Sequence, residues 1–473
     1  MRTISTLLLL WILASTAALS QAPEEAGRPW YAHRYSPEEH GLHDQNWAVA
    51  QGPRDLLYAA NRNGVLEFDG EEWRAIAIPN ELARSMVARP DGTVFVGGVG
   101  EVGYLAPDPL GFTRYVSLLD AVPEEDRAFA DVWTTHATSD GVFFQSFSHL
   151  LRWDGERMHL WRSDSRFHKA FTARDTVYVR EEGVGLLRVD GDRLLPIAGG
   201  ERFADERVDA VLPQGERRLL IAARGSGFWL WEDGHWAPFP TEADSYFRDH
   251  RLYHGALLRD GTYAFTTISG KVVLVDQAGR VRRALGEDVG LSPDDFILHA
   301  MQDRQGGLWL ALNDGLLRVD APTPLTVFDD DSGLEGTVYD VIRHRGRLYA
   351  ATARGLFRLE PASTAAGLRG APRFARVEEV GPQAWAALST DDGLLVATSE
   401  GIVRLHEGGV ERISEEKVFV LVHSDVHEGR IYAGMKEGLA VLERRGGAWV
   451  STEVFHQEGA DIRSVREGPG GEL

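Results

Sequence analysis

The sequence contains no cysteine. That excludes disulfides, Cys-ligated zinc, iron–sulfur clusters and thiol nucleophiles together. Lysine is nearly as scarce, with Lys169, Lys271, Lys417 and Lys436 the four among 50 cationic residues. Cations are outnumbered by 71 Asp and Glu, for a formal charge of −21. Such a balance excludes a phosphate-tracking surface, so nucleic acid is not an expected partner. Anionic membrane surfaces are disfavoured for the same reason. After residue 25 no apolar run approaches the ~20 residues of a membrane-spanning helix. No segment sustains a 3.6-residue period, so helix should be scarce. What is present is an ordinary globular composition, 43% apolar and 26% charged, with 51 glycines that point to many tight turns.

The N-terminus reads as a secretion signal over residues 1–20. Arg2 supplies the positive end, residues 7–14 (LLLLWILA) a short apolar stretch, and Ala18-Leu19-Ser20 a small-x-small cleavage site. A signal anchor is the alternative. The mature chain is expected to be exported, to the periplasm or beyond.

Self-comparison is more informative than any single motif. A unit recurs in which a short apolar strand, a Gly-containing turn and a second strand lead to an Asp-Gly pair. Clear copies are 56–70 (LLYAANRNGVLEFDG), 308–320 (LWLALNDGLLRVD), 348–360 (LYAATARGLFRLE) and 394–405 (LLVATSEGIVRL). Degenerate copies near 94–105, 143–155, 177–191, 219–234, 263–276 and 431–443 bring the total to ten. Equivalent glycines (Gly64, Gly103, Gly185, Gly227, Gly270, Gly315, Gly355, Gly401 and Gly438) recur every 37 to 46 residues, one degenerate copy omitted. That period, filled only by short alternating or apolar strands, is the signature of four-stranded β-propeller blades. Asp-Gly pairs at 69–70, 154–155, 190–191 and 233–234 read as type I′ hairpin turns, and those at 91–92, 260–261 and 392–393 as the earlier hairpin of their blades.

Gly41-Leu42 stands before Trp47 as Gly333-Leu334 stands before Tyr339, and the 292 residues between the two aromatics hold seven copies. The expected fold is therefore all-β, with a seven-bladed ring over 21–335 and an incomplete second propeller of about three and a half blades over 336–473. Eight blades or one larger ring are the alternatives. Residues 460–473 (ADIRSVREGPGGEL) resemble the blade opening at 295–309 (DFILHAMQDRQGGLW), so the chain reads as a piece of a longer protein.

The blade core 303–320 (DRQGGLWLALNDGLLRVD) resembles the two-component regulator propeller repeat, and 45–49 (QNWAV) with 63–73 (NGVLEFDGEEW) resembles the first blade of such sensors. The resemblance covers about 30–473. It departs from the pattern around 143–200, where Ser148-His149 stands in place of the glycine. It implies the periplasmic sensor region of a sensor or hybrid histidine kinase-type regulator. It also implies a second propeller, a membrane helix and an output domain beyond residue 473, and a homodimeric signalling form. By the same implication the covered region is not an enzyme. Membrane contact would come only through a missing C-terminal segment, with inner-membrane anchoring in the full-length protein.

Individual motifs offer little chemistry. Gly98 to Gly103 spells G-x-G-x-x-G but lies among strands, without the helix N-terminus a dinucleotide needs. Gly270-Lys271 lacks the rest of a P-loop. Asp329, Asp330, Asp331 and Glu335 do not meet EF-hand spacing, and His40 with His43 have no third ligand, so no metal or cofactor is expected. Trp153-Asp154 lacks the Gly-His partner of WD repeats. Asp303 to Trp309 has the outline of the sialidase Asp-box, which the same hairpin geometry explains. The residues of interest are large side chains near the start of innermost strands: Trp47, Trp133, Tyr253, Phe296, Tyr339, Trp385 and Phe419. Trp47, Trp133 and Trp385 are the candidate ligand-binding residues, placed to stack on a small-molecule or oligosaccharide ligand. Packing between blades is the structural alternative. A secreted glycan hydrolase or lyase and a non-signalling interaction scaffold are the competing functions.

Overall fold

A computed structural model describes residues 27–473, apart from positions 30, 322, 324, 363, 366, 367, 370, 457, 458 and 460. The secretion signal at 1–20 lies outside the described residues. The chain divides into two compact units, one of Arg28–Thr326 with Thr364–Gly370, the other including Val327–Ser363 and Ala371–Leu473. Ten four-stranded antiparallel sheets make up the two, one for each repeat copy, and the all-β propeller expectation holds.

The first unit holds seven sheets, here blades 1 to 7. Blade 1 runs outward through Asn46–Gln51, Leu57–Asn61, Gly64–Phe68 and Trp73–Ile76. The innermost strands of blades 2 to 7 are Ala83–Ala88, Thr134–Thr138, Phe167–Ala173, Val208–Gln214, Leu252–Leu257 and Ile297–Gln302. Each lies against the next, and Ile297–Gln302 returns to Asn46–Gln51, which closes the ring. Blade 7 takes its outermost strand from the other end of the unit. Ala32–Tyr35 pairs antiparallel with Leu316–Val319, Tyr35 opposite Leu316. Tyr35 then stacks on Trp309 at 5.4 Å and meets Phe68 and Trp73 edge-on at 5.2 and 5.4 Å. A single aromatic thus bonds the last blade to the first. Seven sheets take part in this closed round of contacts.

The second strand of a blade is covered on both faces by its neighbours, so it reads as a continuous apolar run rather than an alternation. Leu57–Asn61, Gly141–Gln145, Tyr263–Thr267 and Leu308–Leu312 are buried at every residue. Between blades 1 and 2, Ala48, Ala50, Tyr58 and Val65 pack against Met86, Val94 and Val96. Among the described residues α-helix is confined to Pro37–His40 and Asp244–Asp249, and no helix is long and apolar enough to cross a membrane.

The second unit holds three sheets, blades 8 to 10, whose innermost strands are Val338–His344, Ala384–Thr390 and Val418–His423. Residues 461–473 form no strand. They lie along blade 10 instead, where the Ile462 amide bonds the Met435 carbonyl and Glu467 accepts from Ser424, Asp425 and Tyr432.

The turns correct one expectation. Only Asp233-Gly234 carries positive φ at both residues (47° and 89°), as type I′ requires. At Asp69-Gly70 and Asp154-Gly155 the aspartate keeps negative φ, and its Oδ1 accepts two backbone N–H groups further on. These are Asx turns, in which the side chain does the work of a backbone bend. Gly393 is a strand residue paired with Thr390, the turn being Asp391-Asp392. The repeat glycine itself is a backbone requirement: Gly401 has φ +118° and a Cβ there would lie 1.9 Å from the Ser414 carbonyl oxygen. Blade 3 lacks this glycine because His149 opens its third strand and bonds Asp126 at 3.1 Å, a carboxylate also gripped by Arg162.

Candidate functional site: the rim of the channel

Every innermost strand but one begins with a β-bulge. In blade 1, Asn46 faces Asn61 and Ala48 faces Ala60, which leaves Trp47 as the extra residue. The same slip leaves Arg84 extra in blade 2, Asp209 in blade 5, Tyr253 in blade 6 and Leu298 in blade 7. In blade 4, His168 and Lys169 together face Arg180. Blade 3 does without a strand bulge, but the Trp133 amide bonds Gln145 just ahead of Thr134, which pairs with the same residue. A bulge adds local twist and re-aims a side chain. Here it turns one residue per blade into the hub, where a cavity of about 710 Å³ is lined by all seven innermost strands.

The rim is chemically mixed. The Arg84 guanidinium carbon lies 3.7 Å from the Trp47 ring centroid and 4.4 Å from that of Trp133, so the cation is held between two indoles. Its Nε donates to Asp131 at 2.9 Å. Opposite in chemistry, Lys169 donates to the Tyr253 carbonyl at 2.6 Å and lies 3.9 Å from the Tyr253 ring centroid. Asp209, fully buried, sits 3.9 Å from Lys169 and accepts both arms of Arg224 at 2.8 and 3.0 Å. Burial pushes the Lys169 amine down to about 8 against the pull of Asp209. Burial also raises the Asp209 carboxyl, against Lys169 and Arg224.

Deeper along the same strands the wall carries His136, His254 and His299. His136 Nε2 donates to the Ala170 carbonyl at 2.9 Å, and the rings of His254 and His299 lie 4.5 Å apart. Burial pushes His136 and His299 down to about 4 and His254 well below its ordinary value. All three are neutral near pH 7. No grouping of three or more His, Cys, Asp or Glu able to hold a metal occurs among the described residues.

Of the residues singled out in the sequence, Trp47, Trp133 and Tyr253 line this cavity. Phe296 does not. It stands before its strand and is 47% exposed, and the bulge after it delivers Leu298 instead. Tyr339, Trp385 and Phe419 occupy the same bulge in blades 8, 9 and 10, so Trp385 belongs to the second unit. There the Trp385 and Phe419 rings lie 4.9 Å apart with the Lys417 ammonium over both. Arg84, Lys169 and Asp209 escaped a search for large aromatics, although they hold the equivalent position of the repeat. Aligning the copies on that position, whatever its residue type, would have found them.

The remaining motifs serve the fold. Gly98 to Gly103 spans the turn between strands Val94–Gly98 and Val102–Pro107. Asp329 caps the short turn Asp330–Ser332. The Nδ1 atoms of His40 and His43 accept from the nearby Leu42 and Gln45 amides. Asp303 clamps its hairpin by accepting from the Gly307 amide at 2.7 Å and the Trp309 indole at 2.9 Å.

No protein-family model and no curated protein matches the chain. Solved structures do match. The extracellular domain of the putative hybrid two component system BT3049 from B. thetaiotaomicron is 14% identical with a TM-score of 0.61, over 94% of this chain and 63% of that one. That of the putative hybrid two component system BT4673 from the same organism is 14% identical with a TM-score of 0.48, over the same shares. Virginiamycin B lyase from Staphylococcus aureus is 10% identical with a TM-score of 0.47, over 61% of this chain and 98% of that one. The chain thus spans about 63% of the two component structures it matches, and it shares the fold of the BT3049 extracellular domain.

Proposed function

We propose that this chain is the ligand-sensing part of a transmembrane signal-transduction regulator of two-component type, without catalysis of its own in the covered region. The observation that carries the reading is the ring-closed cavity lined by all seven innermost strands, six of which turn a bulged side chain to its rim. At about 710 Å³ it falls in the size range of small-molecule sites. The seven-bladed unit is then the receptor, and the second unit begins the propeller that follows it. Export by the signal at 1–20 would put both outside the cytoplasm. The signal would be read as a ligand's differential affinity for two arrangements of the regulator.

A two-carboxylate glycosidase needs a facing acid pair. Among the described residues Asp209 is the one carboxylate lining the cavity, and it is committed to Arg224 and Lys169. The hydrolase alternative finds no such pair at this site.

The test is a thermal-shift and calorimetric screen of the purified chain against sugars, oligosaccharides and small organic acids. A bound solute should raise Tm, and Trp47→Ala or Trp133→Ala should abolish the rise while leaving far-UV circular dichroism intact. Turnover of a glycan by the chain would replace the sensing reading with an enzymatic one.

A further inference from the structure

The rim carries hydrogen-bond donors that nothing in the protein accepts. Among the described residues ten buried side-chain atoms lack a partner, and three of them are the Trp47 Nε1, Arg84 Nη1 and Trp133 Nε1 atoms. All three belong to adjacent blades and to side chains already in mutual contact. A buried donor left unsatisfied costs roughly 1–3 kcal/mol, and more when charged. Three in one sector is a standing cost unless an acceptor arrives.

Charge selects the acceptor. The rim brings together Arg84, Lys169 and Arg224 against two carboxylates, Asp131 and Asp209. These paired groups carry one more positive than negative charge, and Arg259 and Arg304 also line the cavity, in a protein whose total is −21. His168, beside Lys169, is pushed down to about 3 by burial and then by Lys169, Arg207, Arg180 and Arg224, which reports the same positive field. The Arg84 side chain is 11% exposed, in contact with both indoles and bonded through Nε to Asp131, so its guanidinium is oriented before any ligand binds. A planar fork with one free arm matches a carboxylate better than a hydroxyl.

We infer that the channel rim of the seven-bladed unit binds a small carboxylated ligand, whose carboxylate accepts from Arg84 between Trp47 and Trp133. The inference rests on the sensing role proposed above. An acidic sugar and a simple aromatic or aliphatic acid share this chemistry, and matched pairs separate them.

The probes are galacturonate against galactose and benzoate against benzyl alcohol, titrated calorimetrically into the purified chain. A carboxylate should bind at least about tenfold more tightly than its neutral partner. The preference should shrink as salt rises, since added ions screen the attraction between the carboxylate and the rim cations. Arg84→Gln should weaken carboxylate binding about tenfold or more and weaken neutral binding by much less. Arg84→Lys, which keeps the charge and loses the fork, should fall between. Should either variant fail to fold, the salt dependence of the unaltered chain still decides. Equal binding of neutral and acidic partners, or an unchanged Kd in Arg84→Gln, overturns the carboxylate inference and leaves the sensing role standing. Absence of binding by any sugar, acid or oligosaccharide overturns both.

Discussion

The two units use one device and fill it differently. In each, every innermost strand except that of blade 3 begins with a bulge that turns a side chain away from the regular alternation. The seven-bladed unit places two tryptophans, two cations, a carboxylate, a tyrosine and a leucine there. The three-sheet unit places Tyr339, Trp385 and Phe419 there, with Lys417 and Arg463 laid over the rings. Burial differs as well. Val49 of blade 1 is 2% exposed, whereas Val341 of blade 8 is 54% exposed. Blade 1 has neighbours on both sides within its unit, and blade 8 has one. Closure, rather than the blade sequence, decides how much of an innermost strand is hidden and which bulged residues face one another.

The largest expected effect tests closure directly. Tyr35→Ala should destabilise the first unit by about 3–5 kcal/mol, the usual cost of deleting a buried aromatic. Tyr339→Ala, at a 49% exposed site, should stay within about 0.5 kcal/mol. Urea unfolding of the two variants measures the contrast, and equal losses would break it.

Next in size is the buried charge. Asp209→Ala strands Lys169 and Arg224 without their carboxylate, and removal of one partner from a buried pair typically costs about 3–5 kcal/mol. Glu407→Ala removes the 92% exposed partner of Arg345 in the second unit, where a change within about 0.5 kcal/mol is expected. Differential scanning calorimetry of both variants against the parent gives the comparison.

The smallest effect is a slope. His136 and His299 titrate near 4 in the folded chain, against about 6.5 when unfolded. Between those values the unfolded chain binds more protons, so stability rises with pH and is lost on acidification from about 6.5 toward 4. A double His136→Gln, His299→Gln variant should flatten the urea midpoint across pH 6.5–5. Native-state hydrogen exchange should show the acid-induced loosening in the first unit, on the strands that carry His136 and His299.

Much of this was legible in the chain. The spacing of Gly64, Gly315, Gly355 and Gly401 marks third strands because each turn needs a residue without Cβ, a local demand that leaves a local mark. Trp47 and Tyr339 correspond in sequence and prove to be bulged residues of equivalent blades. The turn chemistry was partly misread, since Asp-Gly is compatible with both a type I′ turn and an Asx turn and the choice depends on the strands it joins. The site was half visible. Trp47 and Trp133 stand out by size, but Arg84 is one arginine among 46, and nothing local distinguishes it.

What the sequence determined by itself is the blade: short strands at period two, a glycine where backbones meet, aspartates that cap their own turns. These depend on neighbours a few residues away. What tertiary structure decided is which blades close into a ring and what their bulges share. Ala32–Tyr35 pairs with a strand almost 300 residues on, and Arg84 meets Trp47 and Trp133 only because three blades stand side by side. Contacts of that separation are set by ring closure, and no local pattern encodes them.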